Sequence, residues 1–282
     1  MNKTLKYSSL PGASRQDKSG GAQLNHAEIV VLGDSHAMYF LPKLMGYGRM
    51  GVDPKKLSFS GEAITAASLA GFRPGRSTLD TKDIVARSVQ SADFLVLGFG
   101  QVDLELGFYY RQLVKGEDLT PESYVKWLAG IYSEFLHSLP LGHARVALKG
   151  VNLTVLTDQG FFAKYVSRII DREHGNEQAK VAELRELVMT EEDQNHMHLA
   201  FNGALRKLAR ELGMAYFDVN QQLSRRHAIT GLAEPRRGLA PEYLPGHFDH
   251  HLADTMAVRA VHTEAAARVF GLERLLPANW RL

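Results

Sequence analysis

Short apolar runs, several of which end in glycine, recur along the chain and predict the strands of a buried sheet. Residues 28–33 form the first run, and residues 93–98 form another that is rich in Leu, Val and Phe. Similar runs predict three further strands at 56–60, 144–153 and 214–219. Strands that are apolar throughout, rather than alternating, are typical of parallel sheets covered on both faces.

Amphipathic segments between these runs predict helices. Thr120 followed by Pro121 starts one that reaches about residue 138, because a capping hydroxyl and a proline in the first turn both favour helix initiation. Similar patterns predict helices over residues 36–45, 198–212 and 253–270. Strands that alternate with helices predict an α/β fold with a central parallel sheet.

The domain organisation follows from the same pattern. We expect residues 1–27 to form a flexible arm, because they are rich in Ser, Gly and charge and lack the apolar core of a signal peptide. Residues 28–282 are expected to form one domain, with an insertion at about 157–195 where the alternation is interrupted. Since no run of about 18 apolar residues occurs, we expect no membrane-spanning helix and a cytoplasmic protein.

The composition excludes several kinds of site. The chain has no cysteine, which excludes disulfides, thiolate metal sites and cysteine nucleophiles. Its 33 Lys and Arg residues against 31 Asp and Glu residues give a formal net charge of +2, which does not indicate a nucleic-acid-binding surface. We therefore expect no nucleic-acid partner. Independently of the composition, we expect no cofactor and no metal, and a small-molecule or glycan substrate. The sequence leaves the oligomeric state open.

A serine stands where ligands bind in open α/β sheets, at the carboxyl end of a strand. Ser35 follows the first predicted strand at a strand-to-helix turn, where its N–H opens the helix. A serine nucleophile needs an imidazole base that a carboxylate orients, and Asp249, His250 and His251 supply both groups before the last predicted helix. This combination favours a hydrolytic or acyl-transfer site.

Two further residues follow predicted strands and offer hydrogen-bond donors. Gly61 has a backbone N–H after the second strand, and Gln101 has a side-chain amide after the third. Donors on adjacent loops can complete an oxyanion hole, which stabilises the negative charge of a tetrahedral intermediate. Asp34 is expected to have a different role, since neighbouring side chains diverge at a tight turn. We expect it to accept backbone N–H groups and hold the turn.

In this order, the residues resemble the four blocks of the SGNH (GDSL-like) hydrolase superfamily, over roughly residues 28–270. The resemblance implies a flavodoxin-like three-layer sandwich and a serine-dependent O-acyl ester hydrolase or acyltransferase, acting on an acylated sugar or polysaccharide precursor. It also implies the roles of the site residues. Ser35 would be the nucleophile, His251 the base and Asp249 its orienting acid, with an oxyanion hole formed by Ser35, Gly61 and Gln101.

Two blocks depart from the pattern of the superfamily. The third block usually reads Gly-x-Asn-Asp, whereas this chain has the longer amide of Gln101 in that region. The fourth block usually places Asp and His three positions apart, whereas Asp249 precedes His251 by two. We favour His251 as the base because Leu252 follows it, as a leucine commonly does in the superfamily. His250 is the alternative base.

Two other functions stay open at this point. Asp34 and His36 form the Asp-x-His opening of metal-dependent phosphoesterases, with further ligands at His247, Asp249, His250 and His251. The chain lacks the other motifs of that group. The second alternative is a non-catalytic carbohydrate-binding domain, in which the aromatic residues at 108–110 and 161–162 stack on sugars.

Overall fold

The protein is described from a computed structural model, which covers residues 25–42, 52–75, 80–174, 177–246 and 249–277. Nearly all of the predicted arm at 1–27, part of the helix predicted over 36–45 and the candidate metal ligand His247 lie outside these residues.

Five parallel strands form the sheet that the described residues contain. They are β1 (Ala27–Gly33), β2 (Leu57–Ala63), β3 (Phe94–Gly98), β4 (Arg145–Lys149) and β5 (Ala215–Phe217). Their order is β2-β1-β3-β4-β5, and every neighbouring pair is parallel. This is the flavodoxin-like doubly wound order, in which ligands bind beyond the carboxyl ends of β1 and β3. The predicted fold class is confirmed.

Helices connect the strands. Their bounds are α1 (Thr81–Ser91), α2 (Phe108–Leu113), α3 (Pro121–His137), α4 (Gln159–His174), α5 (Glu177–Leu187), α6 (Glu191–Glu211), α7 (Asn220–Leu223) and α8 (Met256–Val269). A 3₁₀ helix, Ser35–Phe40, follows β1, and a π-helical turn, Asp103–Gly107, precedes α2. No described helix is both long and apolar enough to cross a bilayer.

Both faces of the sheet are covered, as the apolar strands predict. On β1, Ile29 and Val31 pack in one cluster with Ala266 of α8, whereas Leu32 packs in another cluster with Leu128 of α3. Successive residues of a strand point to opposite faces, so each cluster lies on its own side of the sheet. The sheet is therefore the middle layer of a three-layer sandwich.

The segment predicted as an insertion, residues 157–195, contains α4, α5 and the start of α6. Phe162 and Val166 of α4 are fully buried, so this helix packs on the domain. Helix α6 begins earlier than predicted. Thr190 caps it by accepting the N–H of Asp193 at 3.1 Å, and acidic residues in the first turn favour a helix N-terminus.

Candidate active site

The turn after β1 is held by a buried carboxylate. Oδ1 of Asp34 accepts the backbone N–H of His36 at 3.1 Å, and Oδ2 accepts the N–H of Gln101 at 3.0 Å. The second bond ties the turn to the loop that follows β3. Asp34 therefore holds two neighbouring loops together, as expected from the sequence, and the next residue, Ser35, begins the 3₁₀ helix.

Ser35 meets an imidazole from the far end of the chain. Its Oγ lies 2.7 Å from Nε2 of His251, and Nδ1 of the same ring lies 2.7 Å from Oδ1 of Asp249. The side chain of His251 is 19 % exposed and that of Asp249 is 29 % exposed, so solvent reaches this chain of contacts. The structure thus brings together the serine, the favoured histidine and the acid in the hydrogen-bonded order of a nucleophile, a base and an orienting group.

The surroundings of His251 favour its neutral form. Burial, together with the charges of His36 and His250, lowers the pKa of His251 to about 4, although Asp249 acts in the opposite direction. Burial alone would raise the pKa of Asp249, but the hydrogen bonds and charges of His251 and His250 together outweigh burial and lower it. At neutral pH the pair is therefore a carboxylate beside an imidazole that can accept a proton.

His250, the alternative base, is directed elsewhere. Its Nδ1 lies 3.2 Å from Oε2 of Glu105, a side chain with no exposed surface. The ring stacks on Tyr165 of α4, with 5.2 Å between ring centroids and 27° between planes. Among the described residues it is thus His251, not His250, that reaches Ser35.

Gln101 is placed differently from the prediction. Its Nε2 donates to Oε1 of Glu105 at 2.9 Å and to the carbonyl of Asn152 at 3.3 Å, while its Oε1 accepts the N–H of Asn152 at 2.7 Å. A primary amide has two N–H donors, and both are used inside the protein. The amide is therefore not free to bind an oxyanion. The extra methylene allows Gln101 to reach Glu105, one helical turn further along the chain.

Gly61 also differs from its predicted place. It does not follow β2 but lies within it, in register with Val31, because the strand continues to Ala63. Val31 lies two residues before the end of β1, and each residue of a strand spans about 3.3 Å. Gly61 therefore lies below the turn that carries Ser35. In the loop beyond β2, the residue with a left-handed backbone is Ala66, with a φ of 62°. The structure therefore does not support Gly61 as an oxyanion donor.

Two buried acids in the third block were not singled out by the sequence analysis. Asp103 accepts the N–H groups of Leu69 and Ala70 at 2.7 and 3.1 Å, which fixes the 3₁₀ helix after β2. Burial raises the pKa of Asp103 to about 6, against the effect of these hydrogen bonds. Glu105 links Gln101 to His250. Acidic residues inside an otherwise apolar stretch are the signal that would have revealed both.

Three histidines form the cluster that a metal ion would need. One ring nitrogen of each of His36, His250 and His251 lies within 4.8 Å of the others. However, both nitrogens of His36 have partners, the carboxylate of Asp34 and the carbonyl of His250, each at 3.2 Å. Both nitrogens of His251 are also bonded. Ligation would break these contacts, so the arrangement fits a metal centre poorly.

The aromatic residues proposed for sugar stacking are mostly in the core. Phe108, Tyr109 and Phe162 are buried, and the rings of Tyr109 and Phe162 pack 5.1 Å apart. The prediction that these three stack on a sugar is wrong, because their apolar surface is already covered by the protein. Their place between α2 and α4 gives them a packing role instead.

Comparisons with known proteins give similarities at the level of structure only. No family model matches the chain, and no curated protein matches its sequence. Among solved structures, it is similar to Est24, a carbohydrate acetylesterase from Sinorhizobium meliloti, with a TM-score of 0.44 and 13 % identity over 87 % of this chain and 99 % of that one. It is similar to a protein from Slackia heliotrinireducens assigned as an SGNH hydrolase, with a TM-score of 0.45 and 15 % identity over 86 % and 99 %. It is also similar to the acetyl xylan esterase AlAXEase, with a TM-score of 0.42 and 15 % identity over 85 % and 98 %.

Proposed function

We propose that this chain is a serine-dependent O-acyl ester hydrolase of the SGNH type, with Ser35 as nucleophile, His251 as base and Asp249 as orienting acid. The observation that carries the proposal is the pair of 2.7 Å contacts that joins these three side chains in that order. Their position at the carboxyl end of β1, beside the switch point of a flavodoxin-like sheet, agrees with it.

The arrangement supports a two-step reaction. Nε2 of His251 takes the hydroxyl proton of Ser35 as Oγ bonds to the ester carbonyl carbon, and the carbonyl oxygen becomes an oxyanion. The imidazolium then gives that proton to the departing alcohol oxygen as the C–O bond breaks, which leaves an acyl group on Ser35. Water repeats the sequence: His251 takes its proton, the hydroxide oxygen bonds to the acyl carbon, and Oγ leaves and is reprotonated.

The oxyanion donors that we propose differ from those that the sequence predicted. We keep the N–H of Ser35, because it lies in the first turn of the 3₁₀ helix, where backbone N–H groups have no partner within the helix. The amide of Gln101 is committed to Glu105 and Asn152, and Gly61 lies within β2. Further donors are expected from the loop after β2, which Asp103 holds in place.

The substrate class rests on analogy with the superfamily, in which acylated sugars are common substrates. An acyl-enzyme also allows transfer, if a sugar hydroxyl rather than water attacks the acyl group. Product analysis separates the two outcomes. Hydrolysis releases the free acid, whereas transfer gives a new ester when a sugar acceptor is added.

The proposal is tested by acetate release from p-nitrophenyl acetate and from a peracetylated xylose. The wild type is expected to release acetate from both, and Ser35→Ala to lose this activity. Ser91→Ala, which alters an exposed serine at the end of α1, is the matched control and should behave as the wild type. Equal rates for Ser35→Ala and the wild type would contradict the proposal.

Chelation, tested in this assay and in a parallel assay with p-nitrophenyl phosphate, separates the metal-dependent alternative. Dialysis against a chelator is expected to leave acetate release unchanged, because the proposed reaction uses no metal. If chelation removed a phosphoesterase activity and added Mn²⁺ or Zn²⁺ restored it, then His36, His250 and His251 would be assigned as ligands instead.

A further inference from the structure

A second acid–imidazole pair lies directly beside the first. Oε2 of Glu105, on the π-helical turn, lies 3.2 Å from Nδ1 of His250, and Oε1 accepts a hydrogen bond from Nε2 of Gln101 at 2.9 Å. The rings of His250 and His251 meet edge to face, with 4.1 Å between centroids. The mechanism described above uses neither His250 nor Glu105.

Glu105 is held as an anion inside the protein. Burial alone would raise the pKa of this carboxyl, but the hydrogen bond and charge of His250, together with the charges of His36 and His198, outweigh burial and lower it. A carboxylate accepts hydrogen bonds and donates none. In a neutral His250 the proton must therefore lie on Nδ1, which leaves a lone pair on Nε2.

That lone pair has no protein partner in the described part of the chain. His250 is 7 % exposed, and its hydrogen bonds to described residues use its backbone N–H, its carbonyl and Nδ1. Nε2 lies across the ring from Nδ1, so it points away from the buried Glu105. Tyr165 covers one face of the ring and fixes its plane. The result is a fixed acceptor without a hydrogen-bond partner among the described residues, on a ring that contacts the ring of His251.

We propose that Nε2 of His250 binds a free hydroxyl of the alcohol portion of the substrate, next to the ester bond that Ser35 attacks, and that Glu105 positions His250 for this contact. The inference rests on the proposed esterase function. It names the class of ester that the site selects, one with a hydroxyl adjacent to the acylated oxygen. A partly acylated sugar has this arrangement.

Two small esters test the contact. 2-Hydroxyethyl acetate and 2-methoxyethyl acetate have the same acyl group, and only the first has a hydroxyl that can donate a hydrogen bond. At pH 8.5 we expect the wild type to show a kcat/KM about tenfold higher for the hydroxyethyl ester, as one hydrogen bond in a protected site would give.

Two variants remove the acceptor in different ways. In Glu105→Gln the new amide N–H faces Nδ1 of His250, which moves the ring proton to Nε2 and turns the acceptor into a donor. His250→Asn keeps a donor toward Glu105 but has no atom at Nε2. In both, the preference for the hydroxyethyl ester is expected to fall to within about twofold. Glu134→Gln, on the exposed side of α3, is the matched control and should keep the preference.

The tautomer of His250 can be measured directly, and a purely structural role of Glu105 would not determine it. Nitrogen-15 NMR of the wild type at pH 8.5 should show His250 protonated at Nδ1 alone, and Glu105→Gln should show it protonated at Nε2. If either variant fails to fold, as judged by circular dichroism, the other variant and the wild-type spectrum decide the question.

The outcomes separate this inference from the proposed function. Loss of the preference in a folded variant, with the Nδ1 tautomer in the wild type, supports the inference. A wild type that hydrolyses both esters equally, a preference that survives in both variants, or a protonated Nε2 in the wild type would overturn it while leaving the esterase proposal intact. If the wild type hydrolyses neither ester and Ser35 proves unreactive, the proposed function fails, and the inference fails with it.

Discussion

Nε2 of His251 lies 2.7 Å from Oγ of Ser35, although the two residues are 216 positions apart in the sequence. The sheet order explains the contact. Ser35 follows β1, which lies second from one edge of the sheet. Helix α8 begins shortly after His251 and packs against the 3₁₀ helix that Ser35 opens. The fold therefore brings together one residue from near the start of the described chain and one from near its end.

If Ser35 and His251 act as one unit, their substitutions will not add. We expect Ser35→Ala and His251→Ala each to lower kcat by at least about 10⁴, and the double variant to be no slower than the slower single variant, since each change alone disables proton transfer and attack. Steady-state kinetics on p-nitrophenyl acetate measure this. A double variant slowed by the product of the two single effects would show that the residues act independently.

The pH profile is expected to have an unusually acidic limb. Because burial and the charges of His36 and His250 lower the pKa of His251 to about 4, the neutral base persists well below the usual imidazole range. As the pH falls through about 4, His251 becomes protonated and kcat/KM should fall with it. An acid limb near the ordinary histidine pKa of about 6.5 would contradict this. Circular dichroism at each pH separates protonation from acid unfolding.

Asp34→Asn is expected to reduce stability more than activity. Oδ1 of Asp34 lies 3.2 Å from Nδ1 of His36, and both side chains are buried. Removing one partner of a buried charged pair costs about 3 kcal/mol in the free energy of unfolding. Because Asn keeps the shape of the turn, the loss of kcat should be smaller than in Ser35→Ala. Urea unfolding and steady-state kinetics measure the two effects.

The difference between Asp34→Asn and the wild type should depend on pH. Burial alone would lower the pKa of His36, but Asp34 and Glu105 outweigh burial and raise it, whereas the pKa of Asp34 is lowered through its bonds to His36 despite burial. Stability from the pair is therefore fully present between about pH 4 and 6.5. It is lost as the pH falls through the lowered pKa of Asp34 and as the pH rises through the raised pKa of His36. Glu211→Gln, which breaks an exposed pair with Lys207, should change stability by no more than about 0.5 kcal/mol at any pH.

The substitution Gln101→Ala tests whether the amide of Gln101 has a structural role or donates a hydrogen bond to the oxyanion. The change leaves Oε1 of Glu105 and the N–H of Asn152 without partners inside the protein. We expect the free energy of unfolding to fall by about 2 kcal/mol for these unpaired groups. An unchanged stability with a loss of about 10² to 10³ in kcat would instead assign the amide to the oxyanion hole.

Much of the fold could be predicted because each central strand is apolar on both faces. β1 and β3 matched their predicted bounds to within one residue, since glycine ends both runs. β4 proved shorter than predicted, ending at Lys149, although the apolar pattern continues to Leu153. The following residues are also buried, but their N–H groups bond to side chains such as those of Asn202 and Asn220 rather than to a strand. The apolar pattern of the sequence does not distinguish a buried strand from a buried segment whose N–H groups bond to side chains.

The candidate site was predictable in part. Ser35, His251 and Asp249 were singled out because the residue types and their order suffice to suggest a nucleophile, a base and an acid, and the structure brings their side chains together. The amide of Gln101 was misplaced because its partner, Glu105, lies in a π-helical turn that no sequence pattern indicated. Gly61 was misplaced because the polar residues after Phe59 suggested that β2 had ended, whereas an edge strand tolerates them.

Covalent trapping of Ser35 is the most direct test of whether this residue is the nucleophile. The wild type is incubated with a fluorophosphonate, which forms a stable bond to an activated serine, and the adduct is located by mass spectrometry of the intact chain and of its peptides. We expect a single adduct on Ser35, formed far more slowly in His251→Ala and absent from Ser35→Ala. An adduct of the same mass and rate in Ser35→Ala, or an esterase-active wild type that takes up no label, would contradict it.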